Sequence, residues 1–204
     1  MYLSRLTLNP RSKQVRTDLA NPYEMHSTLC RAFVPPEVKC PAGTFLWRLE
    51  LTRAQDDPVL LVQSCVEPNW QGIGIQAYFH RAETKPYKLP EQLRVGQVLR
   101  FRLEANPTVT RDGKRHGLRK VEEQIEWLSR QASKSGFEIV GAMVGQSERR
   151  SFRKRQSEKP ITVWIATFDG HLRVTEPKKL HSAVQEGLGH AKALGLGLLS
   201  VAGS

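Results

Sequence analysis

Apolar and polar residues alternate from Tyr2 to Leu8, the period-two pattern of a half-buried strand. Asn9-Pro10 breaks it, and Ser12 to Ala20 has the composition of a short helix. Asn21-Pro22 opens a second helix. Asn21 is placed to cap, Pro22 takes the first position and Glu24 the third, close to a capping box. This helix is expected to reach Val34 and stop at Pro35-Pro36. Thr44 to Leu51 reads as a strand and Pro58 to Val66 as a more deeply buried one, with Asp56-Asp57-Pro58 as the turn between them. A short helix is expected from Pro68 to Tyr78. Val98 to Ala105 is a strand in which arginines alternate with Phe101 and Leu103.

The order then repeats. Asn106-Pro107 breaks the chain, and Thr108 to Leu118 suits a hairpin around the turn dipeptide Asp112-Gly113. Val121 to Ser133 is helical, with Val121, Ile125 and Leu128 on one face. Phe137 to Val144 and Pro160 to Phe168 are strands, Asp169-Gly170 reads as a turn, and His171 to Val174 continues the strand. Glu176 to Gly187 is helical, and a final strand is expected from Leu196 to Val201. Two successive βαββαβ units describe this order, so the fold class is α+β: two tandem ferredoxin-like, RRM-like domains, residues 1–107 and 108–204. No repeat is visible in the residues themselves, so the duplication is one of architecture.

Composition narrows the function classes. Of 204 residues, 39 % are hydrophobic and 25 % charged, which is globular rather than disordered. No apolar run approaches the roughly 20 residues that span a bilayer, and the N-terminus has no signal-peptide pattern. Three widely spaced cysteines, Cys30, Cys40 and Cys65, fit a reducing compartment better than a disulfide frame, so a cytoplasmic location is expected. No CxxC or HxxxH spacing suggests zinc, and no cofactor or metal is expected. The net charge is +11, and residues 109–159 hold thirteen Lys and Arg against seven Asp and Glu. Positive charge concentrated in this way is the footprint of a polyanion, and nucleic acid fits it better than a membrane surface.

Four segments carry candidate chemistry. The tail from Gly187 to Val201 sets Gly187, Gly189, Gly195 and Gly197 beside Lys192; it reads either as a phosphate-holding loop or as a tight turn before an apolar edge. It is neither a Walker loop nor a dinucleotide fingerprint, because the required Gly-Lys-Ser/Thr and following helix are missing. Tyr23 and His26 lie three apart on one helix face, near an N-terminus that favours phosphate. Histidine titrates near neutrality and can move a proton in phosphodiester chemistry without a metal, although a Tyr–His pair at this spacing also serves packing. Ser147 to Lys159, with Arg149, Arg150, Arg153, Lys154 and Arg155, is expected as a long hairpin or mobile loop; it reads either as a nucleic-acid contact that follows phosphates or as an ordinary solvated loop. Arg111, Lys114 and Arg115 form a smaller basic turn. The remaining histidines, His80, His116, His171, His181 and His190, are scattered.

Together these segments resemble the CasE family, the repeat-RNA endonucleases of type I-E CRISPR systems. The resemblance rests on Leu3 to Pro10, Asp18 to His26 (Asp-Leu-Ala-Asn-Pro-Tyr-Glu-Met-His), Leu46 to Glu50, Leu99 to Leu103 with Ala105-Asn-Pro107, and the tail Gly187 to Val201. It implies two tandem ferredoxin-like domains. It also implies a metal-independent endoribonuclease that cuts precursor CRISPR RNA at the base of the repeat stem-loop. In that chemistry the 2′-OH attacks the adjacent phosphate and leaves 2′,3′-cyclic phosphate and 5′-OH ends. His26 matches the family's catalytic histidine and Tyr23 its companion. Arg31 stands where the family places a helix-borne lysine, and a hydroxyl that some members carry falls at Val34. The family's glycine-rich tail and basic hairpin hold RNA, and its members keep their product and join other Cascade subunits. The expected partners are therefore the CRISPR repeat stem-loop and Cascade subunits, with a monomer in isolation and no membrane. The alternative is a non-catalytic RNA-binding subunit on the same frame.

Overall fold

The structure, a computed structural model, describes residues 1–50, 53, 55–89, 93–153 and 160–203. The chain forms two compact units, Met1–Lys88 with Ala193–Gly195, and Leu89–Lys192 with Leu196–Ser204. In the first, β1 (Tyr2–Leu8), α1 (Lys13–Ala20), α2 (Pro22–Cys30), β2 (Phe45–Glu50), β3 (Val59–Ser64) and β4 (Phe79–Pro86) follow in order. The sheet runs β2-β3-β1-β4 with every neighbour antiparallel, the ferredoxin-like order. Leu6, Leu8, Met25, Leu29, Leu60 and Val62 fill its core, with Phe45 and Trp47 of β2 beside them.

Two elements of this unit differ from the sequence reading. The helix expected from Pro68 to Tyr78 is only a 3₁₀ turn at Trp70–Ile73, stopped by Gly74 in the left-handed region at φ 68°. β4 went unrecognised in the sequence. Every residue after Phe79 is exposed along this strand, so Phe-His-Arg-Ala-Glu-Thr-Lys-Pro has no apolar alternation to betray it. Its charges and terminal proline suit an edge strand.

The second unit contains β5 (Val98–Ala105), the hairpin β6 (Thr108–Arg111) and β7 (Lys114–Gly117), α3 (Val121–Lys134), β8 (Phe137–Phe152), β9 (Ile161–Val174), α4 (Pro177–Glu186) and β10 (Leu199–Gly203). Its sheet runs β10-β5-β9-β8, again all antiparallel, so both units have the tandem ferredoxin-like α+β fold. The division falls at Lys88/Leu89 and not after Pro107. With β4 closing the first sheet, β5 is free to pair with β9 and β10 as the first strand of the second.

Asp169-Gly170 is no turn. β9 passes straight through it while β8 bulges opposite, with register shifts between Ile139 and Gly141 and between Val144 and Gln146. A Cβ on Gly170 would lie 2.1 Å from the Gly141 carbonyl oxygen, so this glycine serves a close backbone approach. Asp169 meets Arg102 of β5 across the strands, in bonds of 2.7 and 3.3 Å. The expected strand Phe137 to Val144 extends to Phe152, so the first half of the basic segment is paired strand rather than loop. The last strand begins at Leu199 rather than Leu196. Among the described residues no helix is long and apolar enough to cross a membrane.

Candidate active site and nucleic-acid interface

α2 forms where the sequence places it. The Asn21 side chain accepts a hydrogen bond from the Tyr23 amide at 3.1 Å, Pro22 occupies the first turn and Glu24 faces the positive end of the helix dipole. The helix ends at Cys30 because the chain then tightens. The amides of Arg31, Ala32 and Phe33 donate to carbonyls three residues back, at 3.2, 3.1 and 2.9 Å, well before the prolines. Met25 and Leu29 anchor one face in the core. Tyr23 and His26 are half-buried one turn apart on another face, and Arg31 is exposed just past the end.

The His26 ring lies against Phe45 of β2, with centroids 5.0 Å apart and planes tilted by 30°. Phe45 stacks in turn on Phe33 at 4.8 Å, and Phe33 meets Trp70 edge-on at 6.0 Å. Burial against these rings lowers the pKa of His26 below its ordinary 6.5, so the imidazole is neutral at neutral pH. Its Nδ1 is buried without a hydrogen-bond partner. Phe33 and Phe45 position the histidine, and the sequence offers no signal for that role beyond two aromatics among many. Beneath the helices, Tyr78 donates to the buried Asp18 carboxylate at 2.5 Å, and Gln14 donates to the other oxygen at 2.8 Å. Burial, and then the bond to Asp18 and its charge, push the Tyr78 hydroxyl pKa up, with the Arg31 charge acting weakly in the opposite direction.

The glycine tail corrects part of its expected role. The Gly187 amide caps α4 by donating to Ala183, and the Gly197 amide donates to the Glu104 carbonyl at 2.7 Å. Gly195 and Gly197 are both buried. These groups are committed to the fold and are not an exposed cradle of amides. A Cβ on Gly195 would come within 2.8 Å of the Trp47 ring, and one on Gly189 within 3.1 Å of Trp127. All four glycines have positive φ, and two of them let a bulky aromatic pack against the backbone.

Lys192 is half-buried, and both it and Arg115 of the β6–β7 hairpin are near enough to His190 for their charges to act on it. The His190 pKa is lowered by burial and then by the charges of Arg115 and Lys192. The tail and the β6–β7 hairpin therefore converge, although some seventy residues separate them in the sequence. Arg111, Lys114 and Arg115 are exposed on that hairpin, whose turn places Asp112 and Gly113 at φ 49° and 70°, as the Asp-Gly dipeptide predicts. In the second basic segment Arg149, Arg150 and Arg153 are exposed, and Arg150 is paired with Glu148. Lys154 and Arg155 lie outside the described residues. Sequence reasoning missed Arg119, whose guanidinium lies 5.5 Å above the Trp164 ring, because nothing in the sequence links those positions. Among the described residues no group of three or more His, Cys, Asp or Glu side chains is placed to hold a metal ion.

Comparison with known proteins assigns the chain to a family. The model of a family described as CRISPR associated protein matches residues 1–203. The CRISPR-associated endoribonuclease Cse3 of Thermus thermophilus is 40 % identical over 214 aligned positions, covering 99 % of this chain and all of the relative. The CRISPR system Cascade subunit CasE of Escherichia coli is 30 % identical, covering 99 % of both chains. A solved structure of the CRISPR endoribonuclease Cse3 bound to 19 nt RNA superposes with a TM-score of 0.88 at 38 % identity, over 99 % of this chain and 100 % of the other. Matches that run from end to end and extend through both ferredoxin-like units bear out the resemblance read from Asp18 to His26 and from the tail: the chain belongs to the CasE/Cse3 family of CRISPR-associated proteins.

Proposed function

We propose that this protein is a metal-independent endoribonuclease that cleaves the stem-loop repeats of precursor CRISPR RNA and keeps the product within a Cascade complex. The observation that carries this reading is His26, held neutral by burial, with Nδ1 sealed inward, on a capped helix next to Tyr23. A neutral imidazole accepts a proton readily, so His26 takes the proton of the ribose 2′-OH at Nε2 as the oxygen attacks the adjacent phosphate. The bond to the 5′ oxygen then breaks, and that oxygen takes a proton from solvent, giving 2′,3′-cyclic phosphate and 5′-OH ends while His26 returns its proton to water. General base catalysis of this kind contributes roughly 10²–10⁴-fold. Tyr23 positions the ribose or phosphate, and Arg31 offsets charge developing on the phosphorane. Relatives named as an endoribonuclease and as a Cascade subunit support the substrate class and the assembly.

RNA is held mainly by the second unit, through Arg111, Lys114 and Arg115 of the first hairpin, Lys192 of the tail, and Arg149, Arg150 and Arg153 of the second hairpin. Gly187, Gly189, Gly195 and Gly197 contribute by shaping the tail that carries Lys192.

The test uses the repeat hairpin of the protein's own genome. His26→Ala is expected to abolish cleavage while leaving RNA affinity within a few-fold. A 2′-deoxy substitution at the cut site is expected to block the wild-type enzyme, and excess EDTA to leave its rate unchanged. Metal-dependent cleavage would sink the mechanism. A hairpin that stays intact with stoichiometric wild-type protein would favour a non-catalytic RNA-binding subunit.

A further inference from the structure

Trp164 joins two basic segments that the sequence separates. It lies on β9 directly opposite Arg149 of β8, and side chains of facing residues in an antiparallel pair share one side of the sheet. Ser151 and Thr162, the next pair on that side, bond through their hydroxyls at 2.7 Å and fix its direction. The Trp164 ring also lies against Gly117, the last residue of β7. A Cβ there would come within 2.4 Å of the ring, so the indole fills the space that a side chain at position 117 would need. Two residues on, Arg119 lays its guanidinium over the same ring at 5.5 Å.

Among the described residues several arginines are tied to carboxylates: Arg48 to Glu50, Arg102 to Asp169, Arg150 to Glu148 and Arg173 to Glu138. In each of these the guanidinium already has a carboxylate at its head. Arg119 is exposed, and its buttress is an aromatic face. Stacking covers one face of the planar fork and holds its orientation, but leaves the charge and the in-plane N–H groups available. An arginine prepared in this way loses little side-chain freedom on meeting an anion. The anion that would meet it is bounded by its neighbours. Arg115 and His116 precede it on β7, Lys120 follows it, and Arg149 stands on the same side of the Trp164 pair.

We propose that Arg119, oriented by Trp164, is a phosphate-binding determinant that joins the two basic hairpins into one RNA-binding surface. The proposal rests on the RNA-cleaving reading above and adds a residue to it. The contact is to the phosphodiester backbone, so it sets affinity and register and does not select bases.

The experiment measures binding of the repeat hairpin at several salt concentrations for wild type, Arg119→Ala, Arg119→Lys, Trp164→Leu and the Arg119→Ala/Trp164→Leu double variant. Circular dichroism confirms the fold of each. Arg119→Ala is expected to weaken binding roughly tenfold or more and to reduce the salt slope by close to one. Arg119→Lys retains the slope but loses several-fold in affinity, because the stacked fork is gone. Trp164→Leu loses about two- to fivefold with its slope intact. The double variant is no weaker than Arg119→Ala alone, since the ring acts through the arginine. A second hairpin with its stem base pairs exchanged shows the same loss for Arg119→Ala.

Arg119→Ala binding within twofold of a competent wild type would overturn the proposal. So would additive losses in the double variant, or a loss confined to the native stem sequence, which would mark a base contact. A wild type that fails to bind either hairpin would refute the RNA reading itself, a different and distinguishable result.

Discussion

Gly197→Ala separates the two meanings of the glycine tail. The native residue sits at φ 89°, and its amide and carbonyl pair with Glu104 and Leu188 at 2.7 and 2.8 Å. A left-handed backbone costs an alanine roughly 1–2 kcal/mol. The new methyl would also stand 2.6 Å from the Leu188 carbonyl oxygen, a backbone atom that must move. Moving it disturbs one or both of those hydrogen bonds, each worth about 0.5–1.5 kcal/mol. The total is roughly 2–4 kcal/mol. For a chain of this length that corresponds to a fall of about 5–15 °C in Tm. Thermal unfolding by circular dichroism reads the loss directly, and RNA binding well below the transition reads the other possibility. The expected result is a lower Tm with affinity within about threefold of wild type. An unchanged Tm with a tenfold loss of affinity would refute the packing account and return Gly197 to the phosphate contact.

Two other predictions follow from buried titratable groups. Tyr78→Phe removes the hydroxyl that donates to Asp18, a carboxylate only 1 % exposed, and is expected to cost about 1.5–3 kcal/mol in a urea titration. An unchanged midpoint would show that the carboxylate does not depend on this bond. For His26, burial puts the folded pKa below the ordinary 6.5, so the acid limb of kcat/KM for cleavage should have its midpoint below 6.5. The same shift makes the unfolded chain bind the proton first. Its stabilising contribution is therefore present above pH 6.5 and lost as pH falls through the folded pKa. A cleavage rate that rises on acidification would assign His26 the role of acid instead of base.

What local chemistry controls was legible in the sequence. Asn21-Pro22 caps α2, Asp112-Gly113 turns the β6–β7 hairpin, and apolar alternation marks β1 and β5, because each depends on residues within a few positions of one another. The same locality placed Tyr23 and His26 on one helix, and the segment around them pointed to the family. Pairing partners were not legible. β4 has no apolar face to announce it, so the sequence places β5 in the first unit, whereas strand register pairs it with β9 and β10 in the second. Asp169-Gly170 has the composition of a turn, but Arg102 and the β8 bulge, both distant in sequence, hold it in mid-strand. The tail shows the same division. Its sequence announces glycines at positive φ, and only the fold reveals that Trp47, Trp127 and two carbonyls already occupy the space around them. Sequence alone determined where the backbone turns and which residue types are available. Tertiary structure decided which strands pair, and which side chains lie against His26 and Arg119, because burial and stacking join residues that the chain keeps far apart.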